Sequence, residues 1–298
     1  MHFSKMHGLG NDFILIDCIS QAFSLQSSAF SDLSKKLCHR RFGIGADQLL
    51  LLCTSAIADF RMRIFNADGS EVEMCGNGVR CLAKYIWDRG ISQKSILDIE
   101  TLAGIIRPEK KGDMVRVDMG EPVFEPEKIP IKVESSKLGV VLDYPLKIGD
   151  REFNITCVSM GNPHTVIAVD NLDDFPVTYY GPMIERHAAF PKKTNVEFIE
   201  VLNSSEIRMR VWERGAGETP ACGTGASASA VASHIKRLTE KNVTIHLAGG
   251  DLYIEWSDNN HVYMTGPAVE VFTGEINQRG GISEGDEAFS KETFYKTY

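Results

Sequence analysis

The sequence predicts an α+β protein of two pseudo-symmetric halves, each a mainly antiparallel, barrel-like sheet wrapped around a central helix. Three observations lead there. Landmarks recur in one order about 150 residues apart: Asn11 with Asn162, Arg61–Phe65 with Arg208–Trp212, Cys75 with Cys222, Gly104 with Gly249 and Gly120 with Gly266. Each copy has one main helical pattern among short strand patterns. The second of these helices, Ala226–Ile235, is small and nearly all apolar around its circumference, as suits a helix surrounded by protein. The expected division is 1–120 and 121–264, with a returning strand near 265–275 joining the first half and a loosely held tail at 275–298. Ligands of such duplicated proteins are expected in the cleft between the halves.

In chain order, Gly8-Leu9-Gly10-Asn11-Asp12 is turn chemistry, and Phe13–Asp17 follows as a strand. Residues 28–40 read as helix, with Ser31 as its N-cap. The glycine turn Gly43-Ile44-Gly45 feeds an apolar run from Leu49. Phe60–Phe65 alternates Arg with apolar residues, as a strand does. After the turn Asn66-Ala67-Asp68-Gly69 comes Cys75-Gly76-Asn77-Gly78, and then a helix from about Val79 to Asp88, stopped by Gly90. Residues 96–119 read as two or three strands. A long polar connection is expected around 125–150, after which the order replays through Thr165–Val169, Arg208–Trp212 and Pro220-Ala221-Cys222-Gly223-Thr224-Gly225.

Composition narrows the function. At 298 residues the chain has room for two domains, and 43% hydrophobic with 24% charged residues is an ordinary globular balance. A formal charge of −8 argues against nucleic acid or an anionic membrane as partner. The first residues have no apolar targeting segment, and the longest apolar run, Leu49–Cys53, is too short to span a bilayer; a cytoplasmic protein is expected. Seven cysteines, an odd number with no C-x-x-C, point away from a disulfide framework and from a zinc site, so no metal is expected. Cys38 and Cys81 lie in helical patterns without glycine context and read as core.

The repeated Cys-Gly-x-Gly carries the chemistry. A cysteine at a helix start meets unpaired backbone N–H groups and the positive end of the helix dipole, which lower its pKa from about 8.5 toward roughly 3.5–7.5. The glycines let a ligand approach, and the free N–H groups hold a carboxylate. Two such units facing one ligand would place a sulfur on either side of the carbon next to a carboxylate: one removes a proton and the other returns one from the opposite face. Nine positions before the cysteines stand Asn66 and Glu213, each ending a strand. With Arg214, Glu213 suits a ligand bearing both an ammonium and a second carboxylate. His164 is placed to tune a cysteine.

These motifs together resemble the diaminopimelate epimerase family. They are Gly8-Leu9-Gly10-Asn11-Asp12-Phe13, Ala67-Asp68-Gly69-Ser70 with Cys75-Gly76-Asn77-Gly78, Gly161-Asn162-Pro163-His164, Thr194-Asn195-Val196-Glu197, and Glu213-Arg214-Gly215 with Ala221-Cys222-Gly223-Thr224-Gly225. The resemblance runs from residue 5 to about residue 270. It implies a diaminopimelate epimerase-like fold and cofactor-independent interconversion of LL- and meso-diaminopimelate, on the route to lysine and peptidoglycan. By motif match, Cys75 and Cys222 would be the acid/base pair. Gly76, Asn77, Gly223 and Thr224 would bind the reacting carboxylate. Asn11, Gln48, Asn66, Asn162, Asn195, Glu213 and Arg214 would hold the rest of the substrate, a small diamino dicarboxylic acid. His164 and Glu213 would adjust the cysteines. A homodimer is compatible with this reading.

The competing enzyme reading is a related two-cysteine racemase or epimerase acting on another amino acid, such as proline. Glu213, Arg214 and the asparagines weigh against it, since a proline ligand would leave them unpaired. A nucleotide-binding protein lacks its G-x-G-x-x-G or P-loop. A redox sensor pairing Cys75 with Cys222 would make a disulfide the function; here it reads as a side reaction of close thiols.

Overall fold

The computed structural model describes residues 1–21, 27–133 and 139–276. In chain order its elements begin β1 (His2–Gly8), β2 (Asn11–Asp17), α1 (Ser27–Cys38), β3 (Gln48–Cys53), β4 (Phe60–Asn66), β5 (Glu71–Val72) and α2 (Gly76–Asp88). Then come β6 (Ile99–Thr101), β7 (Gly104–Ile106), β8 (Glu109–Lys111), β9 (Met114–Asp118), β10 (Tyr144–Ile148), β11 (Arg151–Ser159), β12 (Pro163–Ala168) and α3 (Val177–Glu185). The last are β13 (Asn195–Asn203), β14 (Glu206–Glu213), β15 (Gly217–Thr219), α4 (Gly223–Ile235), β16 (Asn242–Leu247), β17 (Gly250–Trp256), β18 (Val262–Gly266) and β19 (Val269–Glu275). Among the described residues no helix is long and apolar enough to cross a membrane.

The chain forms two compact units. The first is Met1–Lys110 with the chain from Ala268, and the second is Lys111–Pro267. The sequence reading drew the line at residue 120. The difference is β9, which pairs antiparallel with β18 and so belongs to the second unit. Residues 96–119 supply four strands rather than two or three. The expected polar connection also differs, because Ile129, Ile131, Val141, Leu146 and Ile148 are buried in the second unit's core. The tail expected from 275 lies, beyond Ile276, outside the described residues.

The first unit's sheet runs β19-β1-β2-β3-β4-β6-β7, with β5 on β4. Pairing is antiparallel except for β2 with β3 and β4 with β6. In β3, Leu49 to Leu52 are all buried, because both faces of the strand are covered. Leu49 and Leu51, with Ile14 and Ile16 of β2, pack with Phe30 and Leu37 of α1. Alternation turns Leu50 and Phe13 the other way, toward α2. Ser31 does not cap α1: it lies inside the helix, and its hydroxyl donates to the Gly69 carbonyl. Start signals are short-range, and here a tertiary acceptor takes the serine.

The second unit repeats the plan as β10-β11-β12-β13-β14-β16-β17-β18-β9-β8, with β15 on β14. Its parallel pairs, β12 with β13 and β14 with β16, fall where the first unit has its own. Both strand paths are open rather than closed barrels. Val196 and Phe198 of β13 join Val177 and Ile184 of α3 in one core. Helix α4 is buried from Gly225 to Ser233, and its Ala, Ser and Gly residues bring the helix close to the surrounding strands.

Candidate active site

Cys75 and Cys222 stand at the N-cap positions of α2 and α4 with nearly the same extended backbone, φ −143° and ψ 114° against φ −131° and ψ 113°. In each, the cysteine carbonyl accepts the first intrahelical bond, from Val79 N–H and Ala226 N–H. The N–H groups before those have no partner within the helix and point out of its start, which is the anion-holding arrangement the sequence promised.

In the first unit, β2 and β3 present polar residues at their starts. The Asn11 side-chain N–H donates to Asp47, 2.9 Å, and Asp47 is held by Arg40. This leaves Asn11 Oδ1 facing the helix start, where it accepts from Cys75 Sγ at 3.6 Å and Asn77 Nδ2 at 3.2 Å. Beside Asn11, Asp12 takes Lys5 and Arg40; burial would raise its carboxyl, but those cations hold it at about 2. Gln48 and Asn66 lie opposite each other in the β3–β4 register, and Gln48 Nε2 donates to Asn66 Oδ1, 2.9 Å. Gln48 Oε1 and Asn77 Oδ1 are buried acceptors with no hydrogen-bond partner among the described residues.

In the second unit, Asn162 follows Gly161, whose φ of +91° matches +89° at Gly10 before Asn11. Asn162 Nδ2 donates to Thr224 Oγ1, 3.3 Å, and Asn162 Oδ1 lies 2.9 Å from His164 Nε2. His164 Nδ1 lies 2.7 Å from Glu197 Oε1, and both residues are fully buried. The Thr219 hydroxyl donates to Glu213, and the Cys222 thiol lies close enough to act on its carboxyl. Burial pushes the Glu213 carboxyl up against the pull of those two neighbours. It also pushes the Cys222 thiol well above the usual range, and the carboxylates of Glu213 and Glu197 push the same way; Thr224 and the Gly225 N–H oppose them. The lowering expected of a cysteine at a helix start is reversed at Cys222, where burial outweighs the Thr224 hydroxyl and the Gly225 N–H.

Two predicted ligands sit differently from the rest. The Asn195 amide is occupied by backbone: it donates to the Pro163 carbonyl, 2.9 Å, and accepts from the Arg214 N–H, 2.8 Å. It thereby ties the Asn162 turn to the Glu213-Arg214 turn. The Arg214 side chain is exposed and donates to the Lys192 carbonyl, 3.2 Å. Gly76 and Gly223 open the two helices. Glu197 and Thr219 are the polar residues that sequence reasoning did not assign. A depression of about 820 Å³ lies at the far end of α4, lined by His234, Trp256 and neighbours; none of the predicted site residues lines it. Among the described residues no group of three or more His, Cys, Asp or Glu is arranged to hold a metal.

The family model described as diaminopimelate epimerase matches residues 3–125 and 156–271. A diaminopimelate epimerase of Pelotomaculum thermopropionicum is 54% identical over 94% of this chain and 100% of its own length. One of Moorella thermoacetica is also 54% identical, over 93% and 99%. Among solved structures, a Bacillus anthracis phenazine biosynthesis protein of the PhzF family superposes with a TM-score of 0.69 at 18% identity, over 93% of this chain and 99% of that one, and so shares the fold. On the family match and these identities over nearly the full length, the chain belongs to the diaminopimelate epimerase family.

Proposed function

We propose that the protein is a cytoplasmic, cofactor-independent epimerase that interconverts LL- and meso-diaminopimelate by moving one α-proton between two sulfurs. The observation that carries this reading is the matched pair of cysteine-started helices, Cys75 on α2 and Cys222 on α4, set in the same order of strands. The identity to diaminopimelate epimerases supports the substrate.

In this reading one cysteine, as thiolate, takes the α-proton on one face of the carbon. Negative charge passes into the neighbouring carboxylate, where the helix-start N–H groups stabilise it. The other cysteine, as thiol, delivers a proton to the opposite face. Cys222 is suited to the donor role, because burial and the neighbouring Glu213 carboxylate keep its proton on; Cys75 is then the base in that direction. The reverse direction exchanges the roles, so the same environment must also tolerate a Cys222 thiolate. The buried acceptors Gln48 Oε1 and Asn77 Oδ1 suit a substrate ammonium. The exposed Arg214 guanidinium suits the distal carboxylate.

The test is deuterium entry from heavy water at the α-carbon of LL-diaminopimelate, with wild type, Cys75→Ala and Cys222→Ala and no cofactor added. Wild type should label the carbon and form the meso isomer. Each variant should lose epimerisation by about 10²–10⁴-fold, the usual worth of a positioned acid or base. No label with reduced wild type would refute the substrate.

A further inference from the structure

A chain of hydrogen bonds runs from the buried interior of the second unit to Cys222. It links Glu197 Oε1 to His164 Nδ1 at 2.7 Å, His164 Nε2 to Asn162 Oδ1 at 2.9 Å, Asn162 Nδ2 to Thr224 Oγ1 at 3.3 Å, and Thr224 Oγ1 to Cys222 Sγ at 3.5 Å. Glu197 sits on the α4 side of β13, so close that a Cβ on Gly225 would lie 2.8 Å from its Oε1. Its other oxygen, Oε2, is buried with no hydrogen-bond partner among the described residues, so His164 alone answers this carboxylate.

The chain has a direction. Both nitrogens of His164 face oxygens, a carboxylate on one side and the Asn162 amide oxygen on the other, which is the arrangement in which a ring with hydrogen on both nitrogens donates twice. Asn162 therefore presents its NH₂ to Thr224. The Thr224 oxygen accepts there, and its own hydrogen is left to point at the Cys222 sulfur. The reversed chain needs a bare His164 Nε2, an Asn162 turned end for end, and a Thr224 hydroxyl that donates to Asn162. The sulfur then has no donor from Thr224. The group at the buried end decides between the two.

We infer that Glu197 is a positioning residue for the reaction: by holding hydrogen on both nitrogens of His164, it aims the Thr224 hydroxyl at Cys222 and so stabilises the thiolate that forms when Cys222 acts as base. This rests on reading Cys222 as an acid/base group. It explains how a deeply buried sulfur beside two carboxylates can ionise in turn. The titratable groups around it are Glu213 on β14, Glu197 on β13 and His164 on β12, with Cys157 of β11 within reach of Glu197's charge. The side chains that β16, β17 and β18 bury are apolar, Ile245, Ile254 and Met264 among them.

The inference has a sign that its rival lacks. Through space alone, the Glu197 charge opposes a Cys222 thiolate, so Glu197→Gln would ease ionisation. Through the chain, Glu197→Gln lets the direction reverse and makes ionisation harder. The experiment is alkylation of the full-length reduced protein by iodoacetamide from pH 6 to 10, read at Cys75 and Cys222 separately by peptide mass spectrometry. No substrate is present, so the outcome is independent of the deuterium test. In Glu197→Gln the Cys222 midpoint should rise and its rate near pH 8 fall about tenfold, the size of one hydrogen bond to a charged group. Cys75 should not change, and Glu197→Asp should recover part of the loss. Thr224→Val removes the last link without touching a buried charge and should give the same shift, with Glu197→Gln adding nothing further in the double variant. An unchanged or lowered Cys222 midpoint in Glu197→Gln, or additive effects in the double variant, would overturn the inference.

Discussion

The two helix starts are alike and the floors beneath them are not. In the first unit, the turn after Cys75 rests on Leu50 and Phe13, at 3.2 and 3.5 Å from a Cβ built on Gly78. In the second, the turn after Cys222 rests on Glu197. The strand registers make these positions equivalent: Phe13 and Leu50 lie on the parallel pair β2–β3 as His164 and Glu197 lie on β12–β13. The scaffold thus sets a sulfur at a helix N-terminus twice, and two side chains on one sheet face decide whether it sits over apolar side chains or over a buried histidine–glutamate hydrogen bond. Symmetry of backbone does not require symmetry of chemistry.

The sharpest way to break the comparison is to convert one floor toward the other. His164→Phe leaves the Glu197 carboxylate buried without its partner, and should cost about 3–5 kcal/mol in urea unfolding. Adding Glu197→Leu reproduces the first unit's pair and should recover most of that stability. If the double variant is no more stable than the single one, the two floors are not interchangeable.

A smaller effect separates the glycines. Gly225→Ala brings its Cβ to 2.8 Å from a fixed carboxylate oxygen, whereas Gly78→Ala meets the tip of Leu50 at 3.2 Å, which can shift. Thermal unfolding should show about 1–3 kcal/mol lost at Gly225 and less at Gly78. Equal losses would show that the polar floor is as compliant as the apolar one.

The smallest differences lie in pH dependence. Asp12 is lowered from 3.8 to about 2, so its contribution is present above pH 3.8 and is lost as pH falls toward 2. Urea titrations should therefore find Asp12→Asn less stable than wild type at neutral pH, with the gap closing through that window. Glu213 is raised above 4.5, so its contribution is complete below 4.5 and is lost as pH rises through its folded value. Glu213→Gln should match wild type in acid and exceed it at neutral pH. Parallel behaviour of the two variants would remove this contrast between the units.

Much of this was legible in the sequence, and the exceptions have a common cause. Cys75 and Cys222 announce themselves because each signal is local: a cysteine, two glycines and a helix within a dozen residues. The recurrence near 150 residues gave the two units and their helices. Glu197 was not assigned, although its motif was in view. A glutamate alternating with valine and phenylalanine in a strand reads as solvent-facing, and only the register of β12 beside β13 brings His164 to it. The division at residue 110 was missed for the same reason, since β9 finds its partner β18 almost the whole length of the second unit away. Asn195 was named as a ligand by motif match to the resembled family. That its amide is occupied by two backbone groups is a fact of loop geometry, which no motif encodes.

The pairing of β1 with β19, secured where the Met1 amino group donates to the Ile276 carbonyl, also sets an order of assembly. A ribosome delivers the chain from its first residue at about 5–20 residues per second. The second unit lies wholly within Lys111–Pro267, so it can close before the first has received its last strand. The unit that is begun first is therefore finished last. Until β19 emerges, β1 lacks one of its two neighbours, and the half carrying Cys75 receives its last strand only after the whole of the half carrying Cys222 has been made.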